Sequence, residues 1–225
     1  MHSRRKRIPK LGAGASCPRL REQGCTRTER GYQNSVRGHL ALVCESRDAL
    51  APKEGGSMTD IWTKDILDKV VAWLEAAYPV EGCGLILEND GEYRVLECEN
   101  LADKYHQMDP EQFPRTAREF YIIDPMEFMR AEDRGERVAV VFHSHADVGD
   151  YFSDEDVNAA TLPRDSDDEP LEPSHPGVDY LVVSTREDGA DHATLFRFDE
   201  EEEGFPSVLE IEIEDGEYEL STVTS

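Results

Sequence analysis

The sequence predicts a fold of the α/β or α+β class with a central sheet. Apolar residues recur at helical spacing between Thr59 and Tyr78, which is typical of an amphipathic helix. Short apolar runs bounded by turn residues follow at several places, and the clearest is Val138–Phe142. Helical and strand patterns are interleaved along the chain, so we expect helices packed against one sheet rather than an all-α or all-β domain.

The first predicted elements are a helix and a hairpin. The helix over 59–78 takes Thr59 or Asp60 as its N-cap and ends at Pro79. A turn then leads into a buried strand that ends at Leu87. The sequence Asn89-Asp90-Gly91 is a hairpin signal, and residues 93–98 are predicted to form the returning strand.

The elements after the hairpin alternate in the same way. Residues 125–134 are predicted to form a short helix, with Pro125 at its first position and Gly135 as its stop. An acidic, proline-containing surface insertion is expected over 163–174. The remaining predictions are a long polar loop over 101–118, strands over 119–123, 138–142, 179–184, 192–198 and 208–213, and a helix over 154–162.

Charge divides the chain near Met58. Residues 1–57 hold 12 Lys+Arg against 5 Asp+Glu, whereas the remaining residues hold 12 against 44. No single domain is expected to carry that asymmetry. We therefore predict a disordered basic extension over 1–57, a folded domain over 58–220 and a short tail over 221–225.

The basic extension has three competing interpretations: a nucleic-acid or membrane-binding tail, an organelle transit peptide, or translation from upstream of the true start. It lacks the amphipathic pattern of a transit peptide and the apolar stretch of a secretory signal. Met58 lies immediately before the first periodic segment. A mis-set start or a dispensable extension is the favoured interpretation.

The acidic body argues against a nucleic-acid partner, because it would repel phosphate groups. Two cysteines in this body, Cys83 and Cys98, do not make a disulfide framework, which favours a reducing cytoplasm. No run approaches the 18 apolar residues of a membrane span. The sequence therefore predicts a cytoplasmic protein with no nucleic-acid or membrane partner, and it leaves the oligomeric state open.

A candidate metal site follows the strand over 138–142. His143 and His145 come just beyond its end at positions i and i+2, so in an extended backbone their rings point the same way. Asp156, brought back by the loop that follows, is a candidate third ligand. Zinc sites that perform chemistry use three such protein ligands and leave a fourth position for water.

Each of these residues also has a structural explanation. A histidine near a strand end is commonly a polar residue at the margin of a sheet. Ser153 and Asp156 form a capping-box pattern ahead of an apolar stretch, with Ser153 as N-cap and the acid at N3. The capping and ligand interpretations of Asp156 are compatible, since an acid in the first turn can also face a metal.

A metal-activated water needs a base and a hydrogen-bond donor for the oxyanion. Glu81 is the candidate base, because it lies in a glycine-flanked turn before an apolar strand, where an acid has no packing reason to be. The alternative for Glu81 is a solvated turn residue. Ser153 is the candidate donor, since its hydroxyl should lie close to the metal.

Together, Glu81, His143-Ser144-His145, seven residues, Ser153, two residues and Asp156 match the signature of the JAMM metalloproteases. The chain resembles that family, and in particular its short stand-alone prokaryotic members, over roughly residues 60–200. Two further segments resemble the family: Tyr78–Leu85 and His175–Ser184. The resemblance implies the MPN fold, a central mixed β-sheet flanked by helices with an architecture related to that of cytidine deaminases.

The same resemblance implies zinc on His143, His145 and Asp156, with Glu81 as general acid/base and Ser153 bonded to the tetrahedral intermediate. The implied reaction is hydrolysis of an amide or isopeptide bond after the C-terminal glycine of a small β-grasp ubiquitin-like or sulfur-carrier protein. Many relatives have prolines where this chain has Ala146 and Phe152. That departure concerns the shape of the loop and the fit of the substrate.

Two other functions compete with the metallopeptidase. A non-catalytic MPN scaffold or interaction module usually loses one or more ligands, whereas all five functional positions are present here. A zinc deaminase would need a His-x-Glu and a later Pro-Cys-x-x-Cys, and neither occurs in the chain.

Overall fold

A seven-stranded sheet with helices on both faces makes up the part of the chain that the computed structural model describes, residues 61–166 and 169–223. The predicted extension over 1–57 and the boundary at Met58 lie outside these residues. The helices are α1 (Lys64–Ala77), α2 (Ala102–Met108), α3 (Pro125–Asp133) and α4 (Asp154–Ala160). The strands are β1 (Cys83–Asn89), β2 (Glu92–Cys98), β3 (Arg137–Ala146), β4 (Asp179–Arg186), β5 (Gly189–Phe196), β6 (Ser207–Glu214) and β7 (Glu217–Thr222).

The strands lie in the order β2-β1-β3-β4-β5-β6-β7. Only the β3–β4 pair is parallel among the strands described, and the other neighbours are antiparallel. Antiparallel neighbours can be joined by tight turns, whereas a parallel pair needs a longer crossover, which here contains α4. The mixed sheet flanked by helices confirms the predicted fold class.

Two apolar layers cover the faces of the sheet. Alternate residues of β3 point to opposite faces, so Phe142 packs with Leu74 of α1 and Val141 packs with Ala131 of α3. His143 and His145 come two and four residues after Val141 in β3, so their side chains point to the same face of the sheet as Val141. This is the face that α3 and α4 cover. The histidines lie on the same side of the sheet as the helix that carries Asp156.

The β1–β2 hairpin confirms its sequence signal. Asp90 and Gly91 form a two-residue turn with φ values of 52° and 87°. Positive φ at both central positions is the requirement of a type I′ turn, whose twist matches that of the flanking strands. The turn sets Asn89 opposite Glu92, and the register that follows sets Cys83 opposite Cys98.

Helix α1 begins later than predicted. Thr63 is its N-cap and accepts a hydrogen bond from the amide of Ile66, so the prediction of Thr59 or Asp60 as N-cap is wrong. Trp62 is buried in the core ahead of the first helical turn. The periodic pattern of apolar residues therefore begins before the helix does. For this reason, periodicity alone predicted a start of α1 that is too early.

Strand β3 is longer than predicted and contains both histidines, so the prediction that it ends at Phe142 is wrong. His143 pairs with Cys83 of β1 and with Val182 of β4, and His145 pairs with Ser184. The ladder bonds of the parallel partner carry β3 four residues past its apolar run. That partner lies more than thirty residues away in sequence, so the local pattern does not reveal the extension.

Three other predictions need correction. Residues 119–123 form no strand, because the Asn100 side chain and the Leu101 amide bind their backbone groups instead of a neighbouring strand. The predicted loop over 101–118 contains α2. Strand β7 was missed, because it is short and most of its residues are exposed.

Candidate metal centre

Two buried imidazoles meet at the end of β3. The side chains of His143 and His145 lie on one face of the strand, and their Nε2 atoms are 3.2 Å apart. His143 has no exposed surface, and His145 is buried as well. They are therefore not solvated residues at a sheet margin, which was the alternative that the sequence left open.

The N-terminus of α4 brings a carboxylate to the two rings. Asp156 Oδ1 lies 3.2 Å from His143 Nε2, and Asp156 Oδ2 lies 3.4 Å from His145 Nε2. The predicted capping box is also present: the Ser153 hydroxyl accepts the Asp156 amide, and Asp156 Oδ2 accepts the Ser153 amide at 2.8 Å. Asp156 therefore both caps α4 and joins the histidines.

The donor set fits a divalent metal ion. One ligand atom from each of His143, His145 and Asp156 lies within 4.8 Å of the other two, and all three residues are buried. Two imidazole nitrogens and one carboxylate oxygen match the ligand types of zinc sites. Burial opposes ionisation of Asp156, but the adjacent histidines and the Ser153 hydroxyl outweigh it and hold the pKa of that carboxyl well below its usual range.

The surroundings of the two histidines differ. His145 Nδ1 lies 3.0 Å from the carbonyl oxygen of Gly149, which can only accept, so Nδ1 carries a proton and Nε2 is the ring atom left to coordinate a metal. His143 Nδ1 is buried and has no hydrogen-bond partner. Instead, the ring of Tyr121 stacks on the His143 imidazole, with centroids 4.3 Å apart and planes 23° apart.

Glu81 lies just before β1 and is 7% exposed, so the alternative of a solvated turn residue is wrong. Its amide donates to the carbonyl of Ala117 at 2.7 Å, and its carbonyl accepts from Asn100 Nδ2 at 2.8 Å. Burial raises the pKa of the Glu81 carboxyl to about 8; the positive charges of His145 and Arg115 oppose that rise, and Asp156 adds to it. The Glu81 carboxyl therefore interacts electrostatically with two of the three candidate metal ligands, His145 and Asp156.

The loop between β3 and α4 is held by packing at its far end. Phe152 contacts the rings of Tyr180, Phe196 and Phe205 at centroid distances of 5.3, 5.2 and 5.0 Å. Ala146 is the last residue of β3 and pairs with Thr185. The packing of Phe152, the residue before Ser153, thus holds the end of the loop. In this chain Phe152 and Ala146 stand where many relatives have prolines.

Sequence reasoning missed three residues that shape this centre: Asn100, Tyr121 and Gly149. Asn100 bonds the backbone on both sides of Tyr121 as well as that of Glu81. A polar residue shortly after a strand was the available signal for Asn100. No sequence pattern marks Tyr121 or Gly149, because Tyr121 acts on His143 through a tertiary contact and Gly149 acts on His145 through a backbone carbonyl, which every residue has.

No helix of the described part of the chain is long and apolar enough to cross a bilayer.

Comparison with known proteins gives one family match. The family model described as prokaryotic homologs of the JAB domain matches residues 63–194, which is more than half of the chain. None of the curated proteins matches the chain significantly.

Two solved structures are similar to the chain. One is a protein of Desulfitobacterium hafniense, with 21% identity over 64% of this chain and 86% of that one and a TM-score of 0.42. The other is a protein of Salinibacter ruber, with 29% identity over the same shares and a TM-score of 0.40.

Proposed function

The chain belongs to the family of prokaryotic homologs of the JAB domain, and we propose that it is a zinc-dependent hydrolase of amide or isopeptide bonds. The observation that carries the proposal is the convergence of His143, His145 and Asp156 on one buried point, with the buried Glu81 close enough to interact electrostatically with His145 and Asp156. Buried ionisable groups cost folding free energy, so three of them in one place favour a functional site over a purely structural one.

His143 Nε2, His145 Nε2 and a carboxylate oxygen of Asp156 would hold the ion. A zinc ion in such a site supplies Lewis-acid activation of water and of a carbonyl group. The bond from His145 Nδ1 to Gly149 orients that ring for coordination, and the Ser153 bonds to Asp156 orient the carboxylate. The apolar surroundings strengthen every charge interaction at the centre.

Glu81 moves the proton in this proposal. Its carboxylate accepts a proton from the attacking water and delivers it to the leaving nitrogen. A base of this kind works best when its pKa lies near the working pH, and burial raises the pKa of Glu81 into that range. The hydrogen bonds on its backbone amide and carbonyl keep the residue in place during the transfer.

Ser153 is the proposed donor to the developing oxyanion. Its hydroxyl proton is directed at Asp156 Oδ2, 2.6 Å away. Rotation about the Cβ–Oγ bond turns that proton toward a substrate oxygen, while the amide of Ser153 still bonds the same carboxylate. The capping role and the catalytic role of Ser153 are therefore compatible.

The proposed substrate bond follows the C-terminal glycine of a small β-grasp ubiquitin-like or sulfur-carrier protein. A Gly-Gly tail needs a narrow approach to the centre. The segment that leads from α2 to Ala117 contacts Glu81 and supplies one side of such an approach, because Arg115 of this segment also forms an ion pair with Glu155 of α4. The excess of acidic residues favours a basic partner.

Metal analysis and a cleavage assay on the full chain test the proposal. We expect about one zinc per chain and release of the fluorophore from a β-grasp protein whose Gly-Gly terminus carries 7-amino-4-methylcoumarin. Asp156→Ala should lose both metal and activity. Glu81→Gln should keep the metal and lose at least about a hundredfold in kcat, the lower part of the range for general acid/base catalysis.

Glu97→Gln is the matched control, because Glu97 lies exposed on β2 and pairs with Gly84. Glu97→Gln should keep both the bound zinc and the hydrolytic activity. A chain that binds no zinc, or a Glu81→Gln variant as fast as Glu97→Gln, would refute the proposed chemistry. Zinc binding without hydrolysis of any Gly-Gly substrate would favour the scaffold interpretation.

A further inference from the structure

The two histidines of the centre are held by different means. Metal-bound histidines usually donate their second ring N–H to a carbonyl or carboxylate, which fixes the orientation of the ring. His145 follows this rule through Gly149. His143 does not, because its Nδ1 has no hydrogen-bond partner and the residue has no exposed surface.

Tyr121 occupies the position from which His143 can be held. Its ring lies nearly parallel to the His143 imidazole at a centroid distance of 4.3 Å, whereas His145 meets Tyr151 edge-on at 5.2 Å. A parallel ring at this distance covers one face of the imidazole. Rotation of the imidazole about its Cβ–Cγ bond would then collide with the tyrosine.

The backbone around Tyr121 is itself fixed. Asn100 donates to the carbonyl of Phe120 at 3.0 Å and accepts the amide of Ile122 at 3.1 Å, so it brackets Tyr121 on both sides. The Leu101 amide also donates to the Ile122 carbonyl, at 2.8 Å. These three hydrogen bonds hold the backbone on both sides of Tyr121, although this segment belongs to no strand.

An apolar cavity lies beside Tyr121 on the face of the sheet that α3 and α4 cover. It has a volume of about 50 Å³, and its wall is formed by Tyr121, Ile122, Ile123, Pro125, Phe128, Val141, Ala159, His175 and Tyr180. Removal of the Tyr121 ring would enlarge this cavity toward His143. Space for the imidazole to rotate would then replace a packed contact.

We propose that Tyr121 is a positioning residue for His143, whose stacked ring does for this ligand what the Gly149 carbonyl does for His145. The inference rests on the proposed metal site. It predicts that loss of the aromatic ring weakens metal binding about 10- to 100-fold, the range for loss of a group that orients a ligand. It also predicts that the tyrosine hydroxyl is dispensable.

Cobalt(II) binding to the full chain tests the inference, because both affinity and ligand-field absorption are read without turnover. Tyr121→Leu should bind Co²⁺ 10- to 100-fold more weakly, with a shifted visible spectrum, and Tyr121→Phe should restore both. Phe128→Leu is the matched control. It removes a ring of the same cavity that stacks on His175, at a centroid distance of 4.7 Å, and it should leave the cobalt site unchanged.

The outcomes separate the inference from the proposed function. If the wild-type chain binds no Co²⁺, both fail. If it binds one ion and Tyr121→Leu binds it equally well with the same spectrum, the role of Tyr121 is wrong and the metal site stands. If Tyr121→Leu does not fold, the proton spectrum of the zinc-loaded wild type decides: ring protons of His143 must be shifted upfield by the stacked tyrosine, and their absence from that region would overturn the inference.

Discussion

Asn100→Ala is the most informative single substitution outside the metal ligands. The Asn100 side chain makes four hydrogen bonds to backbone groups: Nδ2 donates to Glu81 O and Phe120 O, and Oδ1 accepts from Ala102 N and Ile122 N. These four bonds use its full capacity both as donor and as acceptor. The substitution removes all four together.

The expected loss of stability follows from that count. Each bond contributes about 0.5–1.5 kcal/mol net, so four contribute about 2–6 kcal/mol. Asn100 is half-buried, and water can reach part of the site, so we expect a decrease of about 3 kcal/mol in the free energy of unfolding. That is a large fraction of the stability of an ordinary domain.

Urea denaturation followed by circular dichroism measures the decrease, with Asn89→Ala as the matched control at the exposed end of β1. The control should change the free energy of unfolding by less than about 0.5 kcal/mol, as is usual for surface substitutions. We also expect Asn100→Ala to lose more hydrolytic activity than bound metal, because it releases the backbone of Glu81 but no ligand. A decrease below about 1 kcal/mol would show that water replaces the four bonds and that Asn100 does not hold this part of the site.

Three further predictions test the packing, the ion pairs and the metal. Gly84→Ala should destabilise the fold by about 1–3 kcal/mol, because a Cβ there would collide with the Phe142 ring, whereas Gly204→Ala, where the nearest atom is 3.7 Å away, should have little effect in the same denaturation assay. Two hydrogen bonds from Arg94 and a third from Arg134 hold the pKa of Glu136 at about 2, below its usual 4.5. The destabilisation of Glu136→Gln relative to wild type should therefore be constant above about pH 4.5 and disappear as pH falls toward 2, in urea titrations at a series of pH values. Removal of bound metal with a chelator should lower the melting temperature, and added zinc should restore it in proportion to the logarithm of its free concentration; a melting temperature independent of zinc would contradict the proposed site.

Local sequence was sufficient for much of the fold. The Asp90-Gly91 turn, the helix that begins at Pro125 and the capping box of Ser153 depend on residues within a few positions of one another. Each was predicted in its correct place. Two of the errors occurred where a distant partner supplies the hydrogen bonds: β4 extends β3 beyond Phe142, and Asn100 binds the segment predicted as a strand over 119–123.

The candidate site likewise combines local features, which the sequence predicted, with long-range contacts, which it did not. The spacing of His143, His145 and Asp156 in the sequence was enough to predict that they converge, because a strand repeats every two residues and a cap fixes the start of α4. Burial of Glu81, with the rise of its pKa to about 8, depends on contacts with segments far along the chain. So does the stacking of Tyr121 on one histidine and not the other.

The sequence by itself thus determined which side chains can hold a metal, since that depends on residue type and on short-range periodicity. Only the tertiary structure decided how the ring of His143 is held and how strongly the charges of the site are perturbed. Orientation and charge depend on the packing and the dielectric around a group, and these are set by residues that meet only when the sheet has formed.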